Sequence, residues 1–214
     1  MLTDISKPKQ ERLNDLYILT QKNIQDDLAK NAQNLVFAKG NENAEIFFIG
    51  EAPGAKEDEL GIPFVGRAGK ELDKMLGYLS LSLEECYIAN VLKYRPPKNR
   101  DPTREEIITH LPYLLEQISI IKPKILVPLG NYATKLVLSN FQPHEMKRIG
   151  GVSELHATLH EIQIHELNFN VFPIFHPSAM MYNPKLREVF KQDFKLLAQH
   201  LRREFKEEKQ KKLV

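Results

Sequence analysis

The sequence predicts an α/β sandwich built around a mainly parallel sheet. Three observations predict it. Short apolar runs alternate with longer amphipathic stretches, and the runs have the length and composition of buried strands. Polar segments bearing glycine or proline follow those runs, where strand-to-helix connections belong.

The elements follow in order. Residues 9–30 read as helical and polar, with Leu13, Leu16, Tyr17 and Leu28 forming an apolar stripe. EIFFIG (45–50) is a buried strand ended by glycine. Over 68–79, Leu72, Met75, Leu76 and Leu79 stand at i, i+3, i+4 and i+7, the spacing of one helix face. CYIANVLKY (86–94) is the second buried strand. Thr103 and Glu106 then make a capping-box pattern ahead of Ile107, Leu111, Leu114, Ile118 and Ile121. Pro112 is expected to divide or kink that helix, because it lacks an amide hydrogen and crowds the preceding turn. PKILVPLG (123–130) is a third strand, and 131–140 a helix. Short alternations in 144–170 read as a hairpin. NVFPIF (170–175) is a further strand whose Pro173 points to an edge or terminal position. Asn183-Pro184 opens a long helix carrying Leu186, Phe190, Phe194, Leu197 and Leu201 on one face.

At 214 residues and 42% hydrophobic, the chain can bury the core of one domain spanning 1–214. Residues 1–33 form its N-terminal helical segment, and the charged tail 203–214 is expected to fray. No apolar run approaches the roughly 20 residues of a membrane span. The polar N-terminus lacks a secretory signal, so a cytoplasmic monomer without a membrane partner is expected. Cys86 is the only cysteine, which excludes an intrachain disulfide and any zinc or iron–sulfur site built wholly from this chain's cysteines. Heading an apolar run, it reads as buried and inert.

A net charge of +2 does not mark a nucleic-acid binder by itself. Lys93, Arg95, Lys98, Asn99, Arg100 and Arg104 do fall close together, as a solvated loop or as a phosphate-binding one. Three polar segments lie after strands: 50–66, 95–102 and 176–183. GEAPGAKED (50–58) has neither the glycine spacing of a dinucleotide fingerprint nor the GK[ST] of a phosphate loop. HPSAMMYNP (176–184) sets apolar residues on a loop, where they are a liability unless buried or inserted into something such as a base stack.

GEAPG, GIPFVGRAG, IANVLKYRPPKNRDPT, PKILVPLG and FHPSAMMYNP, in that order, resemble the motifs of the family 4, iron–sulfur-type uracil-DNA glycosylases. The likeness runs from about Asn34 to Phe194. It implies a three-layer α/β/α sandwich with a short, mainly parallel sheet. It also implies hydrolysis of the N-glycosidic bond of uracil in DNA, leaving an abasic site. Gly50, Ala52, Pro53 and Gly54 would line the pocket, with Ala52 where another family of this fold keeps an aspartate. Phe64 would stack on the extruded uracil, and Asn90 would read its Watson–Crick edge, as only an amide can. Glu57 would close the pocket against a thymine methyl, His176 would donate to uracil O2, and Glu51 would help the attacking water.

For DNA, the resemblance implies phosphate contacts from Lys93, Arg95, Lys98 and Arg100, and a loop contact from Ser178. Ala179, Met180 and Met181 would form the wedge; Tyr182 stands where the family usually has arginine. The family's cluster cysteines align with Asn23, Asp26, Tyr94 and His110, so no cofactor and no metal is expected. Packing of Tyr94 and His110 against the N-terminal helix is the expected substitute tie. Three other readings remain: a nucleoside or small-molecule glycosidase, for which the wedge and basic loop would have no purpose, a non-catalytic DNA-binding or polymerase-associated protein, and a relative that traps DNA through a histidine after strand two. KYRPPKNRDP contains no histidine, which counts against the last.

Overall fold

The computed structural model describes residues 2–78, 81, 85–164 and 166–211. The N-terminal segment forms two helices, α1 (Lys9–Asn23) and α2 (Asp27–Asn31). The single helix expected over 9–30 is broken because the Asp26 side chain accepts the amide of Ala29 and caps a new start.

A short strand β1 (Lys39–Gly40) precedes β2 (Ile46–Gly50), α3 (Ala55–Leu60), α4 (Arg67–Tyr78) and β3 (Cys86–Asn90). Leu79, expected on the apolar face of α4, lies outside the described residues. Next come α5 (Arg104–Ile121), β4 (Ile125–Pro128) and α6 (Gly130–Leu138). The capping box of α5 is complete, with Thr103 and Glu106 each accepting the other's backbone amide. Pro112 does not divide α5. It sits on the exposed side, and the carbonyl it leaves unbonded belongs to Ile108, which is also exposed, so water can satisfy it.

After α7 (Val152–Leu155), the hairpin expected within 144–170 is β5 (His160–Ile164) against β6 (Leu167–Val171). Strand β6 lies between β4 and β5 rather than at an edge, and Pro173 falls just past its end, before an isolated Leu129–Ile174 bridge. A short α8 (Ala179–Tyr182) leads into α9 (Leu186–Lys211). The helix α9 runs on to Lys211, through the start of the charged tail.

The sheet order is β1-β3-β2-β4-β6-β5, parallel through β3, β2, β4 and β6 and antiparallel at both edges. Alternation along each strand sorts the side chains into two layers. Phe47, Ile49, Tyr87, Ala89 and Leu126 face α1, α5 and α6; Ile46, Phe48, Cys86, Ile88 and Val127 face α4 and α9. The result is the three-layer α/β/α sandwich. Because β3 and β4 flank β2 on opposite sides, their outgoing connections diverge and open a crevice at the carboxyl ends of the strands.

Candidate active site

That crevice holds a cleft of about 660 Å³, lined by residues following all four parallel strands. Its floor is the end of β2. A side chain at Gly50 would collide with the Asn90 amide oxygen and lie 2.8 Å from the Phe64 ring, so the missing Cβ lets both groups converge. Asn90 is 2% exposed, and its side chain has no hydrogen-bond partner among the described residues. An amide in the cleft wall offers whatever fills the cleft both a donor and an acceptor.

Phe64 is buried and adopts φ 52°, a left-handed conformation that a bulky residue enters only when its surroundings enforce it. Lys39 Nζ donates to the Phe64 carbonyl at 2.9 Å. On the other flank, Glu57 Oε1 accepts the amides of Val65 at 3.0 Å and Gly66 at 2.7 Å. Glu57 thus also lines the cleft, and it positions the loop that carries Phe64.

His176 stands across from Phe64, with ring centroids 5.9 Å apart. Its Nδ1 receives the backbone amide of Ser178 at 3.2 Å and lies 2.7 Å from the Ser178 hydroxyl. A backbone N–H can only donate, so Nδ1 is the acceptor and neutral His176 carries its proton on Nε2. Burial holds this imidazole down to about 4, so at neutral pH it offers one N–H to the cleft and no charge. Burial likewise pushes the Glu51 carboxyl up to about 7, and the charge of Asp101 adds to the rise.

Glu51, Ala52, Pro53, Gly54, Glu57, Phe64, Asn90, His176 and Ser178 all line the one cleft, with Gly50 beneath them. Two expected DNA contacts are not there. Lys93 is 0% exposed, its ammonium donating to the Asn90 carbonyl at 2.8 Å and to Gln117 Oε1 at 2.7 Å, so it cannot reach a phosphate. Met180 is buried against α9 and cannot wedge into a base stack. Met181 and Tyr182 line the mouth instead, Tyr182 being 83% exposed; Ala179 lies half-buried behind them.

Arg95 is partly exposed and donates to Asn99, Lys98 is exposed, and Arg100 at the cleft edge is paired with Glu106. Sequence reasoning missed Asp101 and Tyr132, which line the cleft, and Lys39, which supports it. Tyr132 follows the glycine that ends PKILVPLG, a signal of the same kind as Gly50.

Three of the four positions aligned with cluster ligands gather. Asp26 Oδ2 lies 2.9 Å from His110 Nε2, and the Tyr94 ring meets His110 edge-on at 6.1 Å. Asn23 ends α1 nearby in sequence. The tie is a hydrogen bond from His110 to the residue capping α2, while Tyr94 shares the apolar layer of Leu13 and Leu16 in α1 and Leu28 in α2. Oxygen and nitrogen donors at these positions, with Asp26 and His110 already bonded to each other, do not suit an iron–sulfur cluster. Cys86 is buried in the opposite layer. Among the described residues, no three His, Cys, Asp or Glu side chains assemble as a metal site, and no helix is long and apolar enough to cross a membrane.

The strand-end cleft thus brings together an aromatic ring, a side-chain amide and a neutral imidazole N–H. The chain belongs to the uracil DNA glycosylase superfamily, which it matches over residues 37–202. Within that superfamily it is 42% identical over 173 residues to the type-4 uracil-DNA glycosylase of Archaeoglobus fulgidus, covering 81% of this chain and 85% of the relative. It is similar also to the type-4 enzyme of Sulfurisphaera tokodaii, 43% identical over 163 residues (76% and 72% covered). Its identity to that of Saccharolobus solfataricus is 41% over 175 residues (81% and 79%).

Proposed function

We propose that this chain is a monofunctional uracil-DNA glycosylase that releases uracil from DNA and leaves an abasic site. The observation that carries the reading is the convergence of the Asn90 amide and the Phe64 ring over Gly50, facing the Nε2–H of His176.

The target nucleotide is extruded into the cleft, at a cost of a few kcal/mol. Phe64 stacks on the ring while the Asn90 amide accepts from N3–H and donates to O4. The C1′–N1 bond then breaks, its electron pair leaving with the base and positive charge developing on the sugar. His176 donates to O2 as negative charge gathers there, in the manner of an oxyanion hole. Water adds its oxygen to C1′, and its proton passes to Glu51 when that carboxyl is ionised, and from there to solvent or the departing uracil. Lys56, the lysine lining the cleft, is exposed and paired with Glu59, which fits hydrolysis without a Schiff base.

The reading includes a single domain, supported by both apolar layers sharing one sheet. It includes a cytoplasmic monomer whose partner is uracil-containing DNA, working without an iron–sulfur cluster. The donor chemistry at Asn23, Asp26, Tyr94 and His110 supports the last point. Stoichiometric iron in anaerobically prepared protein would overturn it.

The test is uracil release from U:G, U:A and single-stranded oligonucleotides by the wild type and Asn90→Asp. Wild type is expected to release free uracil without cutting the strand. Asn90→Asp presents an acceptor to O4 and is expected to lose about a hundredfold, the scale of one unmet buried hydrogen bond. Tight binding of uracil-DNA without turnover would favour a non-catalytic binding protein.

A further inference from the structure

Lys93 is unusual among the cations of this chain. It is wholly buried, and among the described residues no carboxylate contacts its ammonium group. Burial alone lowers it to about 7. Such a group is costly to bury, and an apolar side chain of the same length would fill the space without that cost.

What the lysine does is visible at the end of β3. The strand register ends with Asn90 opposite Gly50, and the amides of Val91 and Leu92 go on to donate to the carbonyls of Gly50 and Glu51, so the Asn90 carbonyl is the group the lysine engages at this end. The Asn90 carbonyl accepts Lys93 Nζ at 2.8 Å, three residues further along the chain. Gln117 of α5 holds Nζ from the other side, and its own amide donates to the Phe37 carbonyl at 3.2 Å.

The backbone of Lys93 is fixed as well. Its carbonyl accepts the amide of Val36, and its amide donates to His110 Nδ1 at 2.8 Å. That donor settles the tautomer: His110 carries its proton on Nε2 and presents it to Asp26 Oδ2. Burial favours this neutral form. An unbroken run of hydrogen bonds therefore leads from Asp26 and His110, two of the positions aligned with cluster ligands, to the backbone of Asn90.

We propose that Lys93 is a positioning residue for Asn90, holding the strand end that aims its amide into the cleft, and that the Asp26–His110 pair braces Lys93 from the N-terminal side. The proposal rests on the reading of Asn90 as the group that recognises the base. A neutral amine still has two N–H groups for two acceptors, so the device does not depend on the lysine's charge.

The test is Lys93→Met, which keeps the length of the side chain and removes its donors. Two readouts are compared with wild type: the single-turnover rate of uracil release, and the side-chain amide resonance of Asn90, assigned by its loss in Asn90→Asp. The resonance is expected to shift, and the rate to fall ten- to a hundredfold, as a misaimed group produces. Affinity for abasic product DNA is expected to stay within about twofold, since that contact does not use the base-reading amide. Leu197→Ala, a core truncation in α9, is the stability control: it lowers the melting temperature and leaves rate and resonance unchanged.

An unmoved Asn90 resonance together with a wild-type rate in folded Lys93→Met overturns the proposal. If Lys93→Met does not accumulate folded, Gln117→Leu, which strips one of the two acceptors, is measured in the same way. Should wild type release no uracil, the glycosylase reading fails, and the resonance alone judges Lys93.

Discussion

Glu57 Oε1 lies 2.7 Å from the amide nitrogen of Gly66 and also accepts the neighbouring amide of Val65, so one carboxylate holds both backbone donors that follow Phe64. The ring's left-handed backbone is stabilised from outside, by this carboxylate and by Lys39. Glu57→Ala is expected to cost about 2–3 kcal/mol, the scale of hydrogen bonds to a charged group, and to weaken uracil binding by freeing the ring. Glu57→Gln keeps an acceptor and should lose much less. Thermal melting together with the KM for uracil-DNA checks both; equal losses in the two variants would contradict the loop-holding role.

The raised Glu51 carboxyl makes two pH predictions with linked signs. At pH values below 4.5 it is protonated in both folded and unfolded chains, so Glu51→Gln is neutral there. Between 4.5 and 7 the folded chain keeps its proton more tightly, so stability falls as pH rises, and above 7 the penalty is complete. Glu51→Gln should therefore stabilise the protein at pH 8 by about 1–2 kcal/mol, allowing for the solvent that reaches the group. Single-turnover uracil release should rise with pH through about 7 in wild type and lose that limb in Glu51→Gln, with a rate loss of roughly a hundredfold. Denaturation curves and a pH–rate profile test the pair.

Arg95 and Lys98 are the cations of the RPP loop best placed for phosphate, whereas Arg100 must first leave Glu106. Substituting Arg95 or Lys98 by alanine should reduce the slope of log affinity against log salt by about 0.7–0.9 each. Titration of DNA binding at several salt concentrations measures it. A slope unchanged in both variants would remove this loop from the DNA contact.

The wedge loop divides by burial. Met180→Ala should destabilise the fold by about 2–5 kcal/mol, as a truncated core side chain does. Met181→Ala and Tyr182→Ala should leave melting nearly unchanged and slow uracil release from duplex more than from single strands, where no stack has to be opened. Equal slowing on both substrates would argue against insertion.

Cys86 is pushed up to about 12 by burial, so almost no thiolate exists at pH 8. Iodoacetamide should leave the native protein unmodified and label it once denaturant exposes the strand, as intact mass reads directly.

The legibility of these features in the sequence follows from where each one's partners lie. EIFFIG and CYIAN declared themselves because a run buried on both faces needs no distant information. Phe64, Asn90 and His176 were legible through motif order, and their convergence followed from the parallel sheet. Lys93 was misread because a lysine among arginines looks like surface, and its partner Gln117 arrives from a distant turn of α5. Met180 was misread for the same reason: it joins an apolar layer shared with residues of the next helix, and loop composition does not show the packing. The Asp26–His110 bond joins residues far apart in the chain, so a lost cluster was visible in the sequence while its replacement was not.

Gly50, Phe64 and Asn90 come from one continuous stretch of chain, whereas His176 enters from beyond β6, on the far side of the sheet's central strand. The two sides of the cleft are thus written in separate parts of the sequence and meet only across the closed sheet. A chain cut short before β6 would lose one wall of the cleft together with the strand and the long helix whose apolar residues share a layer with Phe64.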